Sequence, residues 1–579
     1  MDCRRFEGVA KNLPLPDVKS GDIKRTALSG LVTKASGSQQ NGLRRLDWRF
    51  LLPLQDGIFD HLILVGGTPP LAKQILETGI ARRVDLTLAE ERSADAVAVL
   101  SHARVPLEKV LKALAPGGML YYEVDRRSMS FFAWTPARFQ KWLQAAGLTP
   151  TGVYWVAPDF ENCKRYIPLD GSQAFQWYLS TLFVAGTFLY RFLEICLRLW
   201  IGSKSWRFAS FAPCYAVTAE ASPERCSPAS ILSNPLLPAD FRKPDVRTML
   251  VTSGQDDGSR AVLFPFSQNS KKPFAAFKTS TLPAFNCNVE REHAAMAKVR
   301  DCMEEPMRRT IPQPLGLFHY GKLAVGMESC ANGYPLFVSS GRWRATFDQQ
   351  VKDLRMAVNW LIKFHNQANN GWFLWDASAR ERWINHPLQS YEKAFDLTEK
   401  ERQLFTKTRL QAERLDGATL PLVWLHYDFG PWNLYCQSHH FTVIDWEFGG
   451  NWERGCYGPP FYDLLFFVVH WFHIVKRLKN LEAELAGFYH LFVHPDFRDR
   501  YVRVTHDAIA NYVDELSLER RFLPIMIVYL WIEQTLSRRS RKEVLRGEQV
   551  NSRKNNPHTR YIELLAEHAD SFFMQYSGG

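Results

Sequence analysis

The chain has 579 residues and ten scattered cysteines, with no CxxC pair and no Cys/His spacing of the kind that holds zinc. That absence argues against a disulfide framework and a zinc centre alike, and reduced thiols in a cytoplasmic setting are the expectation. The opening residues, MDCRRFEGVAKNLPLPD, lack a continuous apolar run, so no secretory leader is expected. No internal repeat is visible. No RNA- or DNA-binding signature accompanies the net charge of +11, so nucleic acid is not an expected partner. Part of that charge lies in Arg538, Arg539, Arg541 and Lys542 and runs on to Arg546, Arg553 and Lys554. It reads as a solvated helix end and loop. Apolar residues are plentiful at 46%, and aromatics reach 13%, so packed cores are expected in place of extended disorder. At roughly 150 residues per domain, the length allows about three or four units.

The most informative stretch is 423–447, VWLHYDFGPWNLYCQSHHFTVIDWE. The apolar run at 422–425 reads as a strand that delivers a loop starting at His426. The loop holds Asp428 and, five positions on, Asn433. A second short strand, 441–444, ends at Asp445. Phosphoryl transfer from ATP needs such a set: one carboxylate to orient or deprotonate the attacking hydroxyl, then an amide oxygen and a second carboxylate to hold magnesium. A loop built only to cap turns has no need for two carboxylates and an amide at this spacing.

His426-Tyr427-Asp428-Phe429-Gly430-Pro431-Trp432-Asn433-Leu434, followed by Ile444-Asp445-Trp446-Glu447, resembles the catalytic core of the aminoglycoside phosphotransferase and choline kinase family. That family usually carries glycine where this chain has Tyr427. The resemblance covers about 246–545 and implies a bilobal, protein-kinase-like fold, ATP and magnesium as cofactors, and a small hydroxylated acceptor such as a sugar, aminoglycoside, amino alcohol or lipid headgroup. It casts Asp428 as the catalytic residue and Asn433 and Asp445 as metal ligands. Lys278, near the end of a strand at 273–279, becomes the lysine that contacts the nucleotide phosphates. Glu292, on a helix at 289–299, becomes its carboxylate partner, with Glu290 as the spare. The turn at 254–259 would cover the phosphates, and backbone groups at 327–330 would meet the adenine. His365 reads as a packed histidine. Asp463 is open between a helix cap and a tie for the catalytic loop. Helices near 477–494, 500–516 and 521–545 would build a helical lobe.

Upstream, strand candidates at 61–65, 94–100 and 119–124 alternate with helices at 71–78, 107–114 and 135–146, the pattern of a parallel, doubly wound sheet. Residues 107–124 and 145–157 resemble the corresponding helices and strands of class I SAM-dependent methyltransferases, with 211–219 as the last strand of the sheet. The cofactor loop departs from that family. Where a glycine-rich run belongs, the chain has Val65-Gly66-Gly67-Thr68-Pro69-Pro70. Proline removes backbone donors at 69 and 70, so SAM is expected to bind weakly or not at all. Asp85 is the candidate for the acid that holds the ribose.

The expected architecture is therefore an α/β doubly wound, methyltransferase-like domain followed by an α+β bilobal, protein-kinase-like domain. The boundaries are an arm at 1–45, the first domain at 46–222 with a helical insertion at 158–205, a linker at 223–245, and the kinase-like domain at 246–579. Within the insertion, 171–200 reads as a helical cap that packs on the fold or touches a membrane surface without crossing it, which adds peripheral membrane contact to a cytoplasmic location. The expected activity is ATP-dependent phosphorylation of a small molecule. A peptide or protein kinase and a non-catalytic nucleotide-binding scaffold are the rival readings.

Overall fold

The computed structural model describes residues 43–576 except 53–57, 89–92, 104, 128–134, 183–211, 222–231, 233–245, 253–259, 268–269, 343–344, 438–439, 447–455, 547–552 and 554–555. The arm before residue 43, nearly all of the linker, the turn at 254–259 and most of the cap at 171–200 lie outside the described residues. Two compact units divide the chain. The first takes the residues up to 177, then 197–283 and 319–324; the second takes 178–196, 284–318 and 325 onward. Residues 246–283, expected to open the second domain, group by compactness with the first unit.

The first unit is built on a mixed sheet. Its strands are β1 (Phe59–Val65), β2 (Ala81–Asp85), β3 (Ala94–Val99), β4 (Leu114–Asp125), β5 (Thr149–Ala157), β6 (Arg165–Pro168), β7 (Cys214–Glu220), β8 (Arg247–Thr252), β9 (Arg260–Phe266) and β10 (Ala276–Ser280). They lie in the order β10-β9-β8-β6-β5-β7-β4-β3-β1-β2. β1 pairs in parallel with β2 and β3, and β3 in parallel with β4. Helices α1 (Pro69–Glu77) and α2 (Leu107–Ala113) provide the crossovers that parallel pairing demands, and α3 (Pro136–Ala145) precedes β5. In β1 every residue but Asp60 is buried, the continuous apolar pattern of a strand covered on both faces. β7 is buried throughout and runs antiparallel between β4 and β5, where the sequence placed the last strand.

Two details differ from the sequence reading. β4 starts at Leu114, so residues 115–118, between the expected helix at 107–114 and the expected strand at 119–124, belong to the strand. Gly117 takes φ 75° there, and the register against β3 shifts between Ala94 and Ala96, so the glycines make a bulge. The second is the insertion at 158–205, expected to be helical, which opens with a strand. Tyr166 and Ile167 on β6 are buried, and β6 is antiparallel to β5 on one side and to β8 on the other. Thr252 strengthens the second seam, donating its N–H to Lys164 O (2.9 Å) and its hydroxyl to Cys163 O (3.2 Å). Arg247 pairs with Asp170 at 2.7 Å. Helix α4 (Ser172–Thr181) follows and sets Trp177 against Phe264 of β9, with ring centres 4.9 Å apart. Among the described residues no helix is long and apolar enough to cross a membrane.

The second unit begins with α5 (Asn286–Cys302). β11 (Pro314–Tyr320) and β12 (Leu323–Glu328) are each divided between the two units. β13 (Tyr334–Pro335) then precedes α6 (Phe347–Gln367) and β14 (Asn369–Leu374). β15 (Thr419–Trp424), β16 (Leu434–Gln437), β17 (His440–Val443) and β18 (Tyr457–Gly458) form two small sheets, ordered β13-β16-β17 and β14-β15-β18. Helices α7 (Phe461–Val475), α8 (Arg500–Glu515) and α9 (Leu523–Arg546) supply most of the remaining core. α7, FYDLLFFVVHWFHIV, is apolar on nearly every side and is buried on nearly every side. This unit therefore presents the 426–445 loop from a rigid base.

Candidate active site

β15 delivers the chain to His426, and the loop that follows is held from beneath by one carboxylate. Asp463 accepts the backbone N–H of His426 at 2.6 Å and of Tyr427 at 2.8 Å, one on each oxygen. It lies in the first turn of α7, but that helix is capped at Pro460 with no side-chain bond. Of the two readings left open for Asp463, the loop tie is the one observed. Its side chain is 0% exposed, as is that of His365, whose Nε2 stands 3.8 Å away. Tyr512 donates its hydroxyl to Pro460 O (2.6 Å), so its oxygen accepts from His365 Nδ1, also at 2.6 Å. Burial pushes the His365 pKa down, with the carboxylate opposing it. His365 is thus the packed histidine expected, and it braces the tie.

Tethering both N–H groups forces a tight backbone. Tyr427 has φ 63°, in the left-handed region where a side chain is strained and glycine is not. The tyrosine ring is retained by packing on Tyr462, 5.2 Å between centres. Asp445, with φ 67°, is the other site residue in this region. Such strain at a loop carrying chemical groups persists only where the surroundings impose it.

His426 links the loop to the residues just past β17, Ile444 and Asp445. Its Nε2–H donates to Ile444 O (2.9 Å), and its Nδ1 accepts from Asp428 N–H (3.3 Å), which fixes a neutral tautomer. Ile444 N–H donates to Asn433 O (2.9 Å). The sequence-predicted residues Asp428, Asn433 and Asp445 thereby stand at the open end of one hairpin, although β16 and β17 are only four residues each.

Asn433 spends both amide hydrogens on Asp428, one on the backbone oxygen and one on Oδ2, each at 2.9 Å. Its Oδ1 is then the atom to offer a cation, and the Asp445 carboxylate is the second hard-oxygen donor that the sequence predicts. Magnesium takes one or two such protein ligands and fills its shell with phosphate and water, so the residues present fit that ion. The Asp428 Oδ2 also lies 3.4 Å from Trp432 Nε1–H.

Lys278 sits on β10 of the first unit, 7% exposed, opposite Val262 of β9. Glu292 sits on α5 of the second unit and is 2% exposed, whereas Glu290 is half-buried. In the segment expected to contact adenine, Ser329 exchanges two bonds with Gln313: its N–H to Gln313 O (2.9 Å) and Gln313 N–H to its hydroxyl (2.8 Å). Glu447 lies outside the described residues.

With this geometry in hand, comparison with known proteins is direct. Residues 290–507 match the phosphotransferase enzyme family. The match spans Glu292 on α5, the 426–445 loop and Asp463, and it supports phosphotransferase activity in this stretch. No curated protein matches the chain. Among solved structures the chain is similar to a glucosamine kinase, at 12% identity over 57% of this chain and 91% of that one, TM-score 0.33. It is likewise similar to the amicoumacin kinase hAmiN in complex with AMP-PNP, Ca2+ and Ami, at 9% identity over 55% and 88%, TM-score 0.33. A third is a choline/ethanolamine kinase family protein from Mesorhizobium loti, at 12% identity over 59% and 95%, TM-score 0.32. Likenesses this faint carry no argument about activity. The methyltransferase-like reading of the first unit finds no counterpart in the family match, which begins at residue 290.

Sequence reasoning missed the role of His426 as the latch between loop and strand, and that of Trp432 at the carboxylate. Both stood in the motif, but nothing in their spacing announced which atoms they would touch.

Proposed function

We propose that the chain is an ATP-dependent phosphotransferase that moves the γ-phosphoryl group to a hydroxyl of a small molecule. The observation that carries this reading is Asp428 and Asn433 locked by hydrogen bonds on a loop that Asp463 anchors, with Asp445 at the end of the facing strand. In the step, the acceptor oxygen bonds to the γ-phosphorus while the bond to the ADP oxygen breaks, and the hydroxyl proton passes to Asp428. Asn433 and Asp445 would hold magnesium, whose charge offsets that of the phosphates. Lys278 would bind the nucleotide phosphates, with Glu292 as its carboxylate. The domain division at 223–245 belongs to the same reading.

The first unit we read as a methyltransferase-like scaffold. Four parallel strands with α1 and α2 between them, and β7 completing the same sheet, support that reading. The residues do not fit SAM. Pro69 and Pro70 occupy the first two positions of α1, and the Asp85 carboxylate is already in contact with His61 Nε2 (2.8 Å) and accepts from Arg83 (2.7 Å).

The test is ATP turnover with magnesium over a panel of sugars, aminoglycosides and amino alcohols, read by mass spectrometry. Asp428→Ala should abolish transfer, a loss of roughly a hundredfold to ten-thousandfold, while ATP still raises the melting temperature. Asp445→Asn should remove most of that magnesium-ATP shift. Full turnover in Asp428→Ala would refute the reading.

A further inference from the structure

Asp428 is held by more than the metal-side asparagine. Its Oδ2 receives two donors, Asn433 Nδ2–H at 2.9 Å and Trp432 Nε1–H at 3.4 Å. The second bond is long, but bonds of this kind tighten when substrate closes a site. The indole is not placed by that bond alone. Phe466 stands at its edge with ring centres 5.8 Å apart and planes at 85°, and His470 at 5.0 Å and 66°. Phe466 and His470 pack on each other at 4.5 Å. Burial drives the His470 pKa well below its usual value, so the ring beside the indole is neutral. From the loop itself, Pro431 O accepts Phe337 N–H at 3.0 Å, which fixes the backbone just before the tryptophan.

Gly430 supplies the remaining evidence. A Cβ built there would lie 2.4 Å from two atoms of the indole, closer than side-chain carbons approach. The φ of Gly430 is not among the positive values, so the glycine is needed for space and not for backbone freedom. Two positions of one loop are thus matched: glycine at 430 makes the room that the indole at 432 fills.

We propose that Trp432 is a positioning residue that sets the orientation of Asp428. The proposal rests on Asp428 being the proton acceptor in the reading above. A second donor on the same oxygen fixes the carboxylate plane, and small misplacements of a reacting group are costly in rate.

The test uses the full chain and ATP hydrolysis with water as acceptor. Trp432→Phe keeps an aromatic ring and deletes the donor; Gly430→Ala displaces the indole by crowding. In both the turnover number should fall roughly tenfold to a hundredfold, and KM for ATP should hold. An unchanged turnover number in both variants overturns the proposal, even if either melts at a lower temperature. Wild-type hydrolysis in Asp428→Asn would instead overturn the role of Asp428 in the reading above.

Discussion

Tyr427 holds a backbone conformation that costs an L-residue roughly 1–2 kcal/mol. It is retained because Asp463 takes both loop N–H groups and Tyr462 packs on the ring. Tyr427→Ala loses the ring and keeps the strain; Tyr427→Gly loses more side chain and sheds the strain. Glycine should therefore leave the protein more stable than alanine, by about 1 kcal/mol in urea denaturation. The reverse order would show that φ at 427 is not the governing term. Asp463→Asn replaces an acceptor of two N–H groups with an amide that turns a donor towards one of them. It should cost roughly 3 kcal/mol and lower turnover with little change in KM for ATP. The proposed chemical residues Asp428, Asn433 and Asp445 stood out because phosphoryl transfer asks for two carboxylates and an amide at such spacing. Asp463 was half legible: a carboxylate at the start of a helix looks the same in sequence whether it caps that helix or reaches another loop. His426 and Trp432 act through ring nitrogens whose partners are fixed only by the fold.

Elements carry their own tests. α7, α9 and the segment after it bury His473 and His558, and burial lowers each pKa from 6.5 to about 4. Between those values the unfolded chain binds protons that the native state refuses, so stability is full above about pH 6.5 and is lost as pH falls towards 4. Each histidine contributes at most roughly 3 kcal/mol to that loss. His558 donates Nδ1–H to Gln534 O at 3.2 Å, a bond an asparagine amide can also offer. Urea titrations at pH 7.5, 6.0 and 5.0 should show a shallower decline in His558→Asn than in the parent chain. At α1, the prolines at the first two positions remove the donors that would face a cofactor phosphate or carboxylate. Calorimetry should register no binding of SAM, and micromolar affinity would overturn this reading of the loop. The strands β1 and β3 were legible through their short apolar runs, LILV in one and AVAV in the other. β6 was not: its four residues, RYIP, carry no alternation long enough to stand out, and they become a strand only because β5 and β8 flank them.

At the scale of the whole molecule, the pairing of β6 with β8 decides what can be cut. A chain shortened to residues 246–579, the kinase-like part by sequence, would start at a strand stripped of its neighbour. The bare edge of β8 would expose unpaired N–H and C=O groups, a template for aggregation. The full chain should be soluble and the shortened one should aggregate or melt well below it. Equal melting temperatures would show that the seam contributes nothing. The same seam bears on biosynthesis. β6 is complete at residue 168, but its second partner begins at residue 247. Chains emerge from the ribosome at about 5–20 residues per second, so β6 waits some seconds for that partner while its apolar neighbours are already made. The seam between β6 and β8 therefore closes only after residues 169–246 have been made. The last strands of the sheet are still inside the ribosome when its first ones need covering, and that interval is where a chaperone would be required.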